Sequence, residues 1–185
     1  MAKKGFIIES MVAATDVVAF NRYCIAEADI DGGNLIALTA PTAQGNDVWT
    51  ASKPASTTLG GLWIAYNPSL HITEVGDGEY AGLSADPRDY TNVAGKVFSA
   101  FKPQIGDIFV LSKECVDATV SSAVAGDFLE SKASQSTWTR IAEDTGATAG
   151  STAVQIMHKV NIPFPATKGT IGMTKQEGFK VEVVQ

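Results

Sequence analysis

Charge is scarce in this chain. Only 18% of its 185 residues are Asp, Glu, Lys or Arg, against about a quarter in an ordinary globular domain. The 14 Lys and Arg are scattered, with no basic stripe and no interleaved aromatics. Counterion release therefore has no positive face to act through, and a nucleic-acid partner is not expected. The acid excess, a formal net charge of -6, serves solubility. Cysteine is almost missing. Cys24 and Cys115 stand alone, far apart and in apolar surroundings, which favours buried free thiols over a disulfide. Without any Cys-x-x-Cys pair a thiolate zinc site is excluded. No apolar run is long enough to span a membrane. The apolar stretch Phe6-Ile7-Ile8 ends at Glu9, so a secretory leader is not expected either, and synthesis in a host cytoplasm is.

What is present is small and neutral. Gly, Ala, Ser and Thr abound, and hydrophobic residues reach 45%. A surface this weakly charged suits packing against other proteins. The length fits one β-rich domain over 1–185. A possible N-terminal lobe covers 1–95 and a more regular part covers 96–185.

The most specific local signal occurs twice. Gln104-Ile105-Gly106-Asp107-Ile108-Phe109 and Val124-Ala125-Gly126-Asp127-Phe128-Leu129 each read as a tight turn opening an apolar strand. Glycine supplies a positive φ, and the aspartate bonds backbone within the turn. Further strands are expected at Gly5–Met11, Phe20–Ala28, Asn34–Thr39, Gly61–Tyr66, Lys96–Phe101, Ser136–Ala142, Ala153–Val160 and Phe179–Val184. Val75–Tyr80 carries another turn, and Asp86–Tyr90 a second. The fold class read from this spacing is mainly β: a small barrel or sandwich with long loops and at most one or two short helices. Helical candidates are Ala14–Phe20, capped by Thr15 or Asp16, and Val116–Ala125. Asp29-Ile30-Asp31-Gly32-Gly33 reads as a hairpin turn between two strands. Gly5-Phe6 and Gly178-Phe179 open the first and last strands alike, so those two strands are candidates to pair. In Val154–Val160, the alternation places Ile156, His158 and Val160 on one face. That makes His158 a hydrogen-bonded core residue.

Catalytic patterns are weak. Asp144-Thr145-Gly146 matches the short motif of retropepsin-like peptidases, which need two aspartates sharing a proton in a dry loop. Here Glu143 precedes the motif and a Thr/Ala/Gly run follows, so a plain β-turn is the better reading. Asp29–Asn34 resembles part of a calcium loop but lacks the closing bidentate Glu. His71 and His158 are the only histidines, and no nucleophile–base order accompanies them. No catalytic, cofactor or metal residue is assigned, and an enzyme is not expected. Trp63 reads as core, whereas Trp49 and Trp138 lie in Thr/Ser-rich contexts where they could stack on sugars. The stretch Ala40–Gly61 reads mostly as loop, with a strand of Asp47–Thr50 at best. A loop this long is usually a contact arm.

The segment Phe101–Ser112, followed by Ala125–Glu130, resembles structural proteins of tailed bacteriophages, above all capsid decoration (cement) and head-fibre-base proteins. Trp138-Thr139-Arg140-Ile141 and the small-residue loop before Val154 share that style, and the resemblance covers about 98–184. It implies a small β domain on the outside of the head shell, clamping the major capsid protein. Trimer-like or lattice-bound copies would be involved, without membrane or nucleic-acid contact. Arm contacts expected on that reading are Phe6, Ile7, Trp49, Thr50, Pro54 and Leu59. Gly106, Asp107, Gly126 and Asp127 serve as turn and strand starts. Alternatives are a tail-tube or baseplate component and a carbohydrate-binding module built on Trp49 and Trp138.

Overall fold

The computed structural model describes residues 4–42, 47–67, 88, 91–118, 122–165 and 173–185. The turn regions expected at Val75–Tyr80 and most of Asp86–Tyr90 fall outside these, as does His71. The chain is mainly β, with eleven described strands. They are β1 (Ile7–Met11), β2 (Asn21–Ala26), β3 (Leu35–Pro41), β4 (Val48–Ser52), β5 (Trp63–Ala65), β6 (Val97–Phe101), β7 (Ile108–Ser112), β8 (Phe128–Glu130), β9 (Thr139–Ile141), β10 (Ala153–Pro165) and β11 (Met173–Val183). Strands β2-β4-β3-β5-β6 close into a barrel, and β1-β7-β11-β10-β8-β9 form a six-stranded sheet. The barrel is inserted between the two strands β1 and β7, which pair with each other. The lobe boundary expected near residue 95 therefore moves: β6 belongs to the barrel and β1 to the sheet.

Alternation along the barrel strands builds two cores at once. Cys24, Ala26, Ile36, Ala51, Ala65, Phe98 and Ala100 cluster inside the barrel. A five-stranded barrel is narrow, and Cys24 with four alanines leaves its lumen room for Ile36 and Phe98. The intervening residues Leu35, Ile64 and Phe101 point out and join the core above the sheet, with Ile7, Phe109, Leu111, Leu129, Val154, Phe179 and Val181. Phe101 meets Phe109 edge-on, ring centroids 6.2 Å apart, across the junction of barrel and sheet.

Two expectations about pairing change, and one about a helix cap. Asp29–Gly33 is not a hairpin turn, because β2 pairs in parallel with β4 and antiparallel with β6, while β3 pairs with β4 and β5. The segment is a crossover between barrel strands. The first and last strands do not pair; β1 and β11 flank β7 on opposite sides. The short helix α1 (Ala13–Asp16) takes Val12 as its N-cap, without a side-chain capping bond, rather than Thr15 or Asp16.

The two Gly-Asp turns are structural twins. Gly106 and Gly126 have φ of 93° and 95°. Gly106 N–H donates to Val183 O at 2.9 Å, and Val183 N–H returns a bond to Asp107 O. Gly126 N–H donates to Ile156 O at 2.8 Å, and Ile156 N–H returns one to Asp127 O. The Asp107 carboxylate accepts from the N–H groups of Gln104 and Ala13. The Asp127 carboxylate accepts from those of Val124 and Glu143. Ala13 and Glu143 each lie two residues beyond an edge strand, β1 and β9 respectively. The sheet thus carries a pseudo-two-fold axis through the Gln155–Glu182 pair of β10 and β11, which exchanges β7 with β8 and β1 with β9.

Candidate functional site

The segment from Val12 to Phe20, α1 and the 3-10 turn after it, rides over the seam between barrel and sheet. Asn21 holds it down: its side-chain amide donates to Ala14 O and Val17 O at 2.8 and 2.9 Å. An open hollow lies on either side of this segment.

The first hollow, about 520 Å³, adjoins the Gly106–Asp107 turn and is lined by Glu9, Met11, Asp16, Gln104 and Ile105 among others. Burial raises the pKa of Glu9, and the charge of Asp16 raises it further. Among the described residues no three His, Cys, Asp or Glu side chains are placed to hold a metal ion. The hydrophobic rim is more telling. Beside this hollow Ile105 is 78% exposed and Met11 61%, and Val18, at the border of the second hollow, is 85% exposed.

The second hollow, about 770 Å³, is a groove on the barrel wall lined by Arg22, Tyr23, Asp47, Trp49, Tyr66 and Ser99, with Val18 and Asn21 at its border. Its volume falls in the range of about 300–1,000 Å³ usual for small-ligand sites. The β2 strand supplies Arg22 and Tyr23, and β4, paired with it in parallel, supplies Trp49 opposite Cys24. The Tyr66 ring packs on Phe101 with centroids 4.9 Å apart, and its hydroxyl donates to Asn21 Oδ1 at 3.3 Å. Burial pushes the Tyr66 phenol up to about 12, helped by the charges of Glu9, Asp107 and Asp16. Arg22 lies over the Trp63 ring, 5.6 Å from its centroid, and donates through Nη1 to Val18 O and Asn21 O.

The expected arm residues are mostly used otherwise. Phe6 and Ile7 are 1% and 2% exposed: Ile7 sits in the main core, and Phe6 packs with Ile162 on the far face of the sheet. Pro54 is buried as well. Leu59 is half-buried, and its carbonyl accepts from Thr152 N–H and Ser131 Oγ, both at 2.7 Å. Ser134 N–H donates to Pro54 O at 2.8 Å. The stretch 53–62 is thus a strap tied to the sheet lobe, and its expected role as a free arm does not hold. Thr50 and Trp49 lie half-buried on β4, which is a full barrel strand and longer than expected. Of the six, Trp49 alone enters a hollow.

Trp138 is wholly buried, its indole N–H donating to Gly33 O at 2.9 Å. The expected Trp49–Trp138 sugar platform therefore does not exist. Trp63 is only half-buried, packed against the barrel core. His158 is exposed, not core, because the register of β10 slips by one residue between Ile156 and His158. The bulge turns His158 and Val160 to the sheet's other face. Asp144 sits exposed in a turn in which Thr145 N–H donates to Ala142 O, as a plain turn requires. Both cysteines are free and buried. Burial pushes each thiol up to about 12.

The buried carboxylates do structural work. Burial opposes ionisation of Asp127, but bonds from Arg140, at 2.6 Å, and from the amides of Val124 and Glu143 outweigh it and hold its pKa below the usual range. Glu130 accepts from Thr148 N–H and from the hydroxyls of Thr148 and Ser151. Comparison with known protein families, with characterised proteins and with solved structures finds no match to this chain.

Proposed function

We propose that this chain is a structural protein of a tailed-bacteriophage virion, a decoration protein that binds the outer head shell and stabilises contacts between major capsid subunits. It acts by binding, without turnover. The observation that supports this reading is the apolar seam. Ile105, Met11 and Val18 stand exposed on a surface otherwise fixed by hydrogen-bonded turns. Met11 and Ile105 line one hollow, and exposed apolar side chains set side by side suit a protein contact. Ile105 itself belongs to the stretch that resembles decoration proteins. Shell contacts thus fall to the seam rather than to the arm residues expected from sequence. Burying it across two capsid subunits would add binding free energy that is lost only when the shell opens.

The test is co-sedimentation of the purified chain with candidate capsid shells. Wild type is expected to pellet with shells in saturable stoichiometry. The double variant Met11→Asp/Ile105→Asp, whose sites are exposed, is expected to bind at least about tenfold more weakly with its own melting unchanged. Equal binding by the variant would remove the seam from the account. Assembly into rings or tubes without shells would favour a tail-tube or baseplate component instead.

A further inference from the structure

We propose that the hollow beside the Gly106–Asp107 turn is a socket for an arginine side chain of a protein partner. The inference rests on the shell-binding reading only for which protein supplies that arginine; the socket itself is testable without shells.

The twin turn shows what such a carboxylate binds. At Asp127, 2% exposed, Oδ1 accepts from Glu143 N–H, and Oδ2 accepts from Val124 N–H and from Arg140 Nε at 2.6 Å. At Asp107, 3% exposed, Oδ1 accepts from Ala13 N–H and Oδ2 from Gln104 N–H. The amides correspond one to one, and the guanidinium has no counterpart. Strand pairing explains why. Arg140 lies opposite Leu129, two residues after Asp127. The matching position, opposite Phe109 and two residues after Asp107, is held by Glu9. Where one half of the sheet supplies a cation, the other supplies a second carboxylate. A buried carboxylate without a counter-charge is costly, and a cation on its open acceptor site offsets that cost.

The hollow is built to receive one. Glu9, Asp16 and Asp107 line it, and no Lys or Arg does. Among the described residues none of the three carboxylates has an ion pair, and they are not grouped to hold a metal ion. Only Lys3 and Lys168, of all the Lys and Arg, lie outside the described residues. Lys3 adjoins Lys4, before the opposite end of β1. Lys168 falls between Pro165 and Met173, the strand ends farthest from the Val183 that bonds the turn. Met11 and Ile105 border the same hollow, and their exposed side chains suit the apolar stem of an arginine. A planar guanidinium also meets carboxylates by directed bonds that an ammonium does not match. A second copy of this chain has none to spare. Arg22, Arg88 and Arg140 are its only arginines, and each is already bonded. The arginine therefore comes from a different protein.

The experiment uses the full chain, isotope-labelled, and follows its backbone amide signals by NMR during titration with N-acetyl-arginine amide. Comparators are the citrulline counterpart, similar in shape but uncharged, the lysine counterpart and calcium chloride. Saturable shifts are expected at the amides of Ala13, Gln104 and Asp107, with citrulline at least about tenfold weaker and lysine weaker than arginine. Glu9→Arg should fill the socket from within. It should raise the urea midpoint above those of wild type and Glu9→Gln, and abolish the arginine-induced shifts. Glu9→Gln removes a like charge without supplying a guanidinium, so the difference between the two variants is what counts. Where wild type co-sediments with shells, Glu9→Arg should weaken that binding at least about tenfold. Should wild type ignore shells, the shell reading falls and the titration still decides the socket. Unsaturable or absent shifts with arginine, equal shifts with citrulline, tighter binding of lysine or calcium, or a Glu9→Arg protein no more stable than Glu9→Gln would each overturn the proposal.

Discussion

Single residues fix how closely the crossover after β2 packs on the sheet. Cys115 lies in the main core, with Sγ 3.2 Å from Gly32 O and 3.5 Å from Phe6 O. A Cβ built on Gly33 would come within 2.8 Å of that sulfur and 3.1 Å of Leu111 Cδ2, at a φ of +80°. Gly33→Ala is therefore expected to destabilise the fold by about 1–3 kcal/mol, read from urea denaturation; an unchanged midpoint would show that the packing there is loose. The thiols give a second test. Burial keeps both protonated and out of reach. Ellman's reagent at mildly alkaline pH should leave both unreacted in the native protein over minutes and titrate both in urea. Rapid native reaction of either would mean that its surroundings open.

At the scale of elements, the Gly-Asp turns were the most legible part of the sequence. Their glycines had to take positive φ and their aspartates had to bond backbone, and both do. Almost every described strand begins within a few residues of where alternation and turn residues place it. Alternation could not reveal the bulge in β10. Val154-Gln155-Ile156-Met157-His158 reads as an unbroken period of two, and only pairing with Lys180 and Val181 exposes the extra residue. His158 was misplaced for that reason. The twin turns differ in one respect that can be measured. Asp127 is held ionised by Arg140 and two amides. A carboxylate whose folded pKa is depressed stabilises the fold above its unfolded value, about 3.9, and loses that contribution as pH falls below it. Asp127→Asn should therefore cost about 1–3 kcal/mol at neutral pH, with wild type and variant converging in denaturation midpoint as pH drops below that value. A gap that stays constant with pH would contradict the charge-based account.

For the whole molecule, composition and strand spacing sufficed for a mainly β fold but not for strand order. The barrel closes through a parallel contact between β2 and β4, which no local signal announces. Barrel and sandwich stayed open in the sequence, because the lumen residues Cys24, Ala26, Ile36, Ala51, Ala65, Phe98 and Ala100 come from five separate strands. The candidate sites were less legible. Trp49 and Asp47, neighbours in sequence, border the groove on the barrel wall, while Tyr23 and Ser99 reach it only once β2 pairs with β4 and β6. Phe6 and Ile7 were drawn as arm contacts because they lie near a terminus, and Pro54 because a loop rich in small residues looks unattached. Hydrogen bonds from Thr152, Ser131 and Ser134 tie that loop to the sheet, and they span too much sequence to be seen in it. The exposed seam could be found only by knowing which apolar residues the cores leave out.

The central claim is that this chain reinforces a head shell through that seam. The most direct measurement is light scattering coupled to size-exclusion chromatography, on the chain alone and mixed with shells, followed by thermal melting of the shell fraction. The account predicts a discrete monomer or small oligomer that co-migrates with shells and raises their melting temperature. A chain that elutes apart from every shell tested, leaving their melting unchanged, would contradict it.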